Sequence, residues 1–143
     1  DRDLRVVSGP ASLKTALATL GRCGDPGGSY YISKLVGPSK TRELYFLDEK
    51  IDAGTAQAIG LVNRVVPDAE LETQTQALAA RLAKGPSAAI GYIKKNIDFA
   101  ETATLEQVLT MEAYANARAS QTHDAKEAVQ AFIEKRAPSF RGY

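Results

Sequence analysis

The sequence is poor in the residues that disulfide, metal and thiol chemistry require: its 143 residues include one cysteine, Cys23, and one histidine, His123. Because a disulfide needs two thiols, an internal disulfide framework is excluded, and the low cysteine content fits a reducing compartment. The Cys and His spacing of a zinc site is absent, so we expect no metal. A Cys23–His123 dyad is the less favoured interpretation, since a lone cysteine is usually a small buried apolar residue and His123 precedes a helix at the surface.

Neither sign of charge is in excess, and long apolar runs are missing. Eighteen Lys and Arg residues against 17 Asp and Glu residues give a net charge of +1, which gives no support to binding of nucleic acid or of an anionic membrane. The apolar runs are far shorter than the roughly 20 residues that a membrane-spanning helix needs, and no signal peptide is visible. We therefore predict a cytoplasmic globular protein with no nucleic-acid or membrane partner.

Glycine, by contrast, is concentrated in one loop, residues 21–31, which leads into an apolar helical pattern and has one carboxylate, Asp25, at its centre. Pro26 favours an extended Asp25, because its ring excludes the α region for the residue before it. The loop is predicted to end at a helix N-terminus, whose dipole favours an ionised carboxylate, so Asp25 is the candidate base or nucleophile. A plain turn followed by a helix cap is the alternative, because Gly, Asp, Pro and Ser all form turns.

The glycines of this loop have two predicted roles. Gly27 and Gly28 have no Cβ, so a ligand or another backbone segment can approach them closely. Gly28 or Ser29 is the predicted N-cap of the helix that follows.

The whole chain is predicted to contain a small βα portion followed by helices. The predicted strands are 4–7 and 61–66, and the predicted helices are 29–36, 39–47, 53–60, 70–84, 87–99, 104–120 and 124–136. Asp52 is expected to cap the third helix, and Asp124 with Glu127 to form a capping box on the last one. Residues 1–67 make up the βα portion and 68–143 the helical tail, whose apolar faces need cover from the first portion, from the tail itself or from another subunit.

With its segments in this order, the chain resembles the enoyl-CoA hydratase/isomerase family, also called the crotonase family. The residues that carry the resemblance are Gly24 to Tyr31, Leu35-Val36-Gly37, Ile51-Asp52-Ala53, Ala56, Gly60 to Pro67, Asp124, Glu127, Ala131-Phe132, Glu134 to Arg136 and Pro138. The resemblance implies an α/β fold, namely the C-terminal half of a crotonase-like ββα spiral followed by a helical oligomerisation tail. It also implies a homotrimer or hexamer, an acyl-CoA thioester as substrate and no separate cofactor.

The resemblance further implies that the site is shared with a segment outside the matched part. In this family the N-terminal half of the fold carries the oxyanion hole, two backbone N–H groups that hold the thioester oxygen as negative charge develops. On this interpretation the missing N-terminal half is needed to complete the site.

Two positions within the resemblance separate the activities of the family. Hydratases carry a catalytic glutamate between the first strand and the Gly-rich loop, and the matching residue here is Leu17, which cannot move a proton. Isomerases and the related dehalogenases place an aspartate in the Gly-rich loop, and Asp25 matches it. The resemblance therefore implies an isomerase of unsaturated or ring-epoxide acyl-CoA thioesters, as in phenylacetate-type degradation, with Asp25 as acid and base. The alternatives are a hydratase or other lyase, an aspartate nucleophile, and a truncated chain that only mediates subunit association.

The resemblance also implies a set of residues that contact the substrate. They are Gly24, Gly27, Gly28, Tyr30, Tyr31, Phe132 and Lys135. The two tyrosines would line the acyl pocket, and Phe132 and Lys135 match positions that contact the adenine and phosphates of CoA, often from a neighbouring subunit. Tyrosines at the start of an apolar helix also suit a protein core, and a lysine on a terminal helix also suits solvent.

Overall fold

The computed structural model describes residues 3–24 and 26–143. Asp25, the predicted catalytic residue, lies outside the described residues, as do Asp1 and Arg2. The chain divides into two compact units, of which the first ends at Gln76 and the second runs from Ala77 to Tyr143. Within the described ranges, no helix has the length and apolar content needed to cross a bilayer.

Short strands and helices alternate in the first unit, whereas the second unit is helical in the described chain. The elements in order are β1 (Val6–Ser8), β2 (Ser12–Leu13), α1 (Gly28–Leu47), β3 (Ile51–Asp52), α2 (Ala53–Ala58), β4 (Arg64–Val66), α3 (Leu71–Ala83), α4 (Ser87–Ala100), α5 (Leu105–Ala119) and α6 (His123–Ile133). Single turns of 3-10 helix lie at Ala18–Leu20 and Asp68–Glu70. The predicted α/β class is confirmed.

The strands form two separate two-stranded sheets. β1 runs parallel to β4, with Val7 opposite Val65. β2 runs antiparallel to β3, with Leu13 opposite Ile51. The parallel pair joins β1, near the beginning of the first unit, to a strand that follows α1 and α2 in the chain.

Arg5 reinforces the parallel pair just before β1 begins. Its backbone N–H donates to Asn63 Oδ1 (2.8 Å), and its Nε–H donates to the Leu61 carbonyl (2.6 Å). Both observed strands are shorter than the predicted runs 4–7 and 61–66. The reason is that an apolar, β-branched run favours extended backbone throughout, whereas a strand exists only over the residues that pair.

α1 is interrupted at Gly37, whose φ of 79° and ψ of 159° are not helical, so it consists of two helical segments. The break lies where Gly37-Pro38 predicted it, because proline lacks an N–H and excludes the α conformation for the residue before it. Thr41 Oγ1 donates to the Gly37 carbonyl (2.8 Å) and so supplies a donor at the break. Thr41 and Leu44 are the buried residues of α1, and Asp48 is buried one turn further on. The buried face of this helix therefore leads to a carboxylate.

α2 begins as the sequence predicted. Asp52 is its N-cap and accepts a hydrogen bond from the Thr55 N–H (2.6 Å). Ala53, Ala56 and Val62 are almost completely buried, at 1%, 0% and 3% exposure. The core of the first unit is thus built around small side chains, which allow α2 to approach its neighbours closely.

The helix starts of the second unit correct one prediction. α5 begins with a capping box, in which the Gln107 N–H donates to Thr104 Oγ1 (3.4 Å) and the Thr104 N–H donates to Gln107 Oε1 (2.9 Å). The N-cap of α6 is Thr122, whose Oγ1 accepts from the Ala125 N–H (3.1 Å). The predicted capping box at Asp124 is therefore wrong. Asp124 lies inside α6, because a better placed hydroxyl two residues earlier already caps the helix.

Candidate active site

The Gly-rich loop reaches α1 through a left-handed glycine. Gly27 has a φ of 85° and is the N-cap of α1, so the prediction of Gly28 or Ser29 as N-cap is wrong. Its carbonyl accepts from the Tyr31 N–H (3.0 Å), and a Cβ at this position would lie 3.0 Å from Tyr31 Cε2. The left-handed backbone conformation therefore favours glycine here, and a Cβ would also displace the Tyr31 ring slightly. Gly24, on the other side of Asp25, is exposed and has open space where a Cβ would be.

Tyr30 and Tyr31 form an aromatic pair at the start of α1. Their ring centroids are 5.3 Å apart and their planes meet at 88°, an edge-to-face arrangement. The rings remain 52% and 48% exposed, so the alternative of two core tyrosines does not describe this unit. Lys34 Nζ lies 4.6 Å from the centroid of the Tyr30 ring. Gly27, Tyr30 and Tyr31 are thus brought together beside the loop, and their contact with an acyl group stays a prediction.

Asp48 holds the turn that precedes this loop. No local pattern in the sequence indicates this role. Its Oδ1 accepts from Thr15 Oγ1 (2.8 Å) and from the Ala16 N–H (2.6 Å). Its Oδ2 accepts from the Thr19 N–H (2.8 Å) and from the Thr19 hydroxyl. Lys14 Nζ lies 3.9 Å from Oδ2. A single buried carboxylate therefore receives four hydrogen bonds from the turn that precedes the loop.

These contacts also set the protonation of Asp48. Burial by itself would raise the pKa of the carboxyl group, but the hydrogen bonds from Thr19, Thr15 and Ala16 outweigh that effect and hold the pKa well below its ordinary value. Asp48 is therefore ionised and serves as an acceptor. The sequence around Asp48 does not indicate this role, because Asp48 follows the end of a helix and its hydrogen-bond partners lie about 30 positions earlier in the chain.

Leu17 lies within the turn that Asp48 holds. It is half-buried, and its carbonyl accepts from the N–H groups of Leu20 (3.2 Å) and Arg22 (2.9 Å). Ala16, next to it, has a φ of 58°, which is uncommon for a residue with a side chain. The segment in which hydratases of the resembled family carry a glutamate thus has a fixed backbone here and presents an apolar side chain.

Phe132 and Lys135 lie at the end of α6 in the second unit. Phe132 is 84% exposed. The Lys135 N–H donates to the Phe132 carbonyl (3.2 Å), and Lys135 has a left-handed φ of 54° that ends the helix. Their roles toward CoA stay predictions.

An ion-pair network stabilises this helix end. Arg136 Nη1 and Nη2 donate to the two carboxylate oxygens of Glu127 (2.5 and 3.0 Å), and Arg136 Nε donates to Glu134 (2.5 Å). The Ser139 N–H also donates to Glu127 (2.8 Å). The hydrogen bond from Arg136, followed by that from Ser139, lowers the pKa of Glu127 to about 2. The backbone on both sides of Lys135 is thereby held in place.

Asp124 anchors the end of the chain. It is 2% exposed and accepts from the N–H groups of Arg141 (2.7 Å) and Gly142 (2.8 Å), while its own N–H donates to the Tyr143 carbonyl (3.1 Å). Burial would raise the pKa of Asp124, but these hydrogen bonds and the nearby His123 lower it. His123 Nδ1 lies 3.7 Å from Asp124 Oδ1, and the side chain of His123 is 43% exposed. The predicted surface position of His123 is confirmed.

The remaining sequence candidates are simple to place. Cys23 is exposed, so its expected burial as a small apolar residue is wrong, because the Gly-rich loop provides no core around it. Among the residues that the structure describes, no group of three His, Cys, Asp or Glu side chains is arranged to hold a metal ion.

A parallel strand pair, a Gly-rich loop leading into a broken helix and a helical second unit together define an α/β protein of the crotonase-like class. The chain belongs to the enoyl-CoA hydratase/isomerase family, whose model matches residues 2–143. Full-length structures of this class are longer, and the present fold corresponds to about half of each.

Three relatives illustrate the range of the family. The chain is 35% identical to a protein named probable enoyl-CoA hydratase in Rhodobacter capsulatus, over 98% of this chain and 54% of that protein. It is 33% identical to 1,2-epoxyphenylacetyl-CoA isomerase of Escherichia coli, over 98% of this chain and 53% of that protein. The crystal structure of an enoyl-CoA hydratase/isomerase family protein from Mycobacterium abscessus superposes with a TM-score of 0.96 at 34% identity, over 99% of this chain and 54% of that one. The chain therefore spans about half the length of these relatives.

Proposed function

We propose that the full-length protein is an acyl-CoA thioester isomerase that shifts a double bond or isomerises a ring epoxide, with Asp25 as its acid and base. The observation that carries this proposal is the turn around Leu17. Its backbone is fixed by hydrogen bonds from Thr15, Ala16 and Thr19 to Asp48, yet it offers a leucine where a hydratase needs a glutamate. The Gly-rich loop that follows this turn then provides a carboxylate, Asp25, between Gly24 and Pro26.

The proposed chemistry requires one carboxylate and a polarised carbonyl. Hydrogen bonds to the thioester oxygen make the α and γ carbons of the acyl chain acidic. Asp25 would then take a proton from one of these carbons and return it to another, so no group is consumed. The two N–H donors would come from the N-terminal half of the family fold, and Tyr30 and Tyr31 would border the acyl chain.

Relatives alone do not decide between isomerisation and hydration. The relative at 35% identity bears a hydratase name, and the relative at 33% identity bears an isomerase name. So small a difference in sequence identity favours neither activity. A hydratase is therefore the second candidate, and it would need water to be activated by groups outside this chain.

The proposal is tested by giving the full-length protein 3-enoyl-CoA and 2-enoyl-CoA in deuterated water. We expect conversion of the 3-enoyl to the 2-enoyl thioester with deuterium at the α or γ carbon, and little 3-hydroxyacyl-CoA. Mass spectrometry of the products measures both. Rapid hydration of the 2-enoyl thioester would favour the hydratase, and the lack of any turnover in a correctly assembled oligomer would favour a role in subunit association.

The predicted CoA contact of Phe132 gives an independent test. Replacing Phe132 by alanine removes a ring that is 84% exposed and, on this proposal, stacks on adenine. Because base–aromatic stacking contributes about 1–3 kcal/mol, we expect the KM for a CoA thioester to rise about 5- to 150-fold. The KM for the matching pantetheine thioester, which has no adenine, will stay unchanged. Steady-state kinetics on the two thioesters measure the difference.

Ile133 provides the matched control, since it is the next residue of α6 and is also largely exposed, at 67%. Ile133→Ala should change KM equally for both thioesters. If Phe132→Ala also fails to distinguish the two substrates, the proposed adenine contact is wrong.

A further inference from the structure

We propose that Asp48 is a positioning residue of the acyl-thioester site: its carboxylate fixes the turn of residues 15–20 and thereby places Leu17 against the substrate. This inference rests on the proposed function, in which the turn borders the reacting acyl group. Asp48 acts through Leu17 and is not a catalytic residue itself.

The first support is the way in which Asp48 joins distant parts of the first unit. The turn of residues 15–20 precedes the Gly-rich loop, the loop leads into α1, and Asp48 directly follows α1. The hydrogen bonds to Thr15, Ala16 and Thr19 therefore connect the segment before the loop to the residue after the helix, across 29 to 33 positions. Moving the carboxylate would move the turn.

The second support is the backbone conformation that these bonds maintain. Ala16 and Asp48 have φ values of 58° and 51°, both in the left-handed region. Residues with side chains adopt this conformation at a cost, and it persists where the surroundings determine it. The Ala16 N–H donates to Asp48 Oδ1 (2.6 Å). This hydrogen bond joins the two residues with left-handed backbone and stabilises both conformations. Such conformations are concentrated at functional sites, which agrees with the position of Leu17 immediately after Ala16.

The third support is that only a carboxylate satisfies all of these donors. Both oxygens of Asp48 accept, one from Thr15 and Ala16 and the other from the backbone and hydroxyl of Thr19. An asparagine amide has one oxygen and one NH₂ group, so it would place a donor opposite the Ala16 or the Thr19 backbone N–H. A backbone N–H cannot reverse its role, and the turn would have to shift.

The experiment is a double-mutant cycle in the full-length enzyme, with Asp48→Asn, Leu17→Ala and the double variant. We expect Asp48→Asn to lower kcat about 10- to 100-fold with KM changed less than about twofold, since a misplacement of 1 Å can cost that much. In the Leu17→Ala background the same substitution should lower kcat no further. Amide hydrogen exchange at Ala16 and Thr19 will rise in both backgrounds.

Asp52→Asn is the matched control, because Asp52 is also a structural carboxylate of the first unit and caps α2 through the Thr55 N–H. It should lower the thermal midpoint without changing kcat. Thr19→Val, which removes one hydroxyl donor and leaves the carboxylate in place, gives a milder variant if Asp48→Asn is poorly folded, and we expect kcat to fall about threefold with it.

An unchanged kcat in a folded Asp48→Asn or Thr19→Val variant whose turn exchanges faster would overturn the positioning role. Additive losses in the double variant would overturn it too, because they would mean that Asp48 does not act through Leu17. Failure of the proposed function gives a different result: the wild-type enzyme would hydrate 2-enoyl-CoA and would not isomerise 3-enoyl-CoA. The cycle would then be measured on hydration, and coupling between Asp48 and Leu17 would be judged from that rate.

Discussion

Asp25→Asn will reduce isomerisation by the full-length enzyme about 10²- to 10⁴-fold, the range by which positioned acid–base groups accelerate reactions. Asparagine has nearly the same shape as aspartate, so the loop between Gly24 and Gly27 can keep its course. The amide cannot accept a proton from carbon, and the reaction loses its base. Binding of the thioester should remain, because the glycines, the tyrosines and the proposed CoA-contacting residues are unchanged. Turnover of 3-enoyl-CoA and the dissociation constant of a substrate analogue measure the two quantities separately.

Asp98→Asn is a suitable control, since it makes the same change at an exposed carboxylate of α4. It should leave both turnover and binding unaltered. Unchanged turnover in Asp25→Asn would rule out Asp25 as the base. A parallel loss of turnover and binding would indicate instead that the carboxylate shapes the pocket.

Acid will destabilise the folded chain steeply below about pH 4.5, where carboxyl groups of the unfolded chain begin to bind protons. Five carboxyl groups have folded-state pKa values below their ordinary values, namely Asp48, Asp52, Asp124, Glu127 and Glu134, and that of Glu127 is about 2. Because the folded groups resist protonation, the unfolded chain binds more protons in this range, and falling pH favours unfolding. The stability that these groups contribute is fully present above their unfolded pKa values and is lost as pH falls toward the folded ones. Urea denaturation between pH 7 and pH 2.5 should show an uptake of up to about five protons on unfolding.

Glu127→Gln will make this dependence of stability on pH shallower, because one of these five groups no longer titrates. Stability at pH 7 will also be lower, since Arg136 loses its two-oxygen partner. Glu106→Gln, in the first turn of α5, removes the same charge elsewhere and should leave the acid dependence as it is. An identical proton uptake in Glu127→Gln and the unmodified protein would contradict the assignment.

The features that the sequence predicted correctly depend on neighbouring residues. Gly37-Pro38 breaks a helix because of its own covalent structure, and Asp52 caps α2 because Thr55 lies three residues away. The α/β class and the family followed from the order of such local signals. Helix bounds were accurate to a residue or two where a cap or a glycine marked them, as in α4 and α5.

The features that were missed depend on residues far apart in the chain. Nothing near Asp48 indicates that it accepts from a turn some 30 residues earlier, and nothing near Asp124 indicates that it holds the backbone of Arg141. Asp124 was interpreted as a helix cap because an acidic residue with a second one three positions later has that local pattern. Thr122 occupies the N-cap position of α6 instead. The Asp124 carboxylate therefore accepts hydrogen bonds from the C-terminal backbone. Long-range acceptors of this kind follow from the folded backbone alone.

The exposed sulfur of Cys23 has a practical consequence. It is the single thiol of these 143 residues and lies two positions before Asp25, so within this sequence a maleimide dye or a nitroxide will be attached beside the candidate catalytic carboxylate. Such a reporter would lie in the Gly-rich loop without any substitution of the sequence. If the proposed site is correct, its fluorescence or electron paramagnetic resonance spectrum will change when an acyl-CoA thioester is added to the full-length protein.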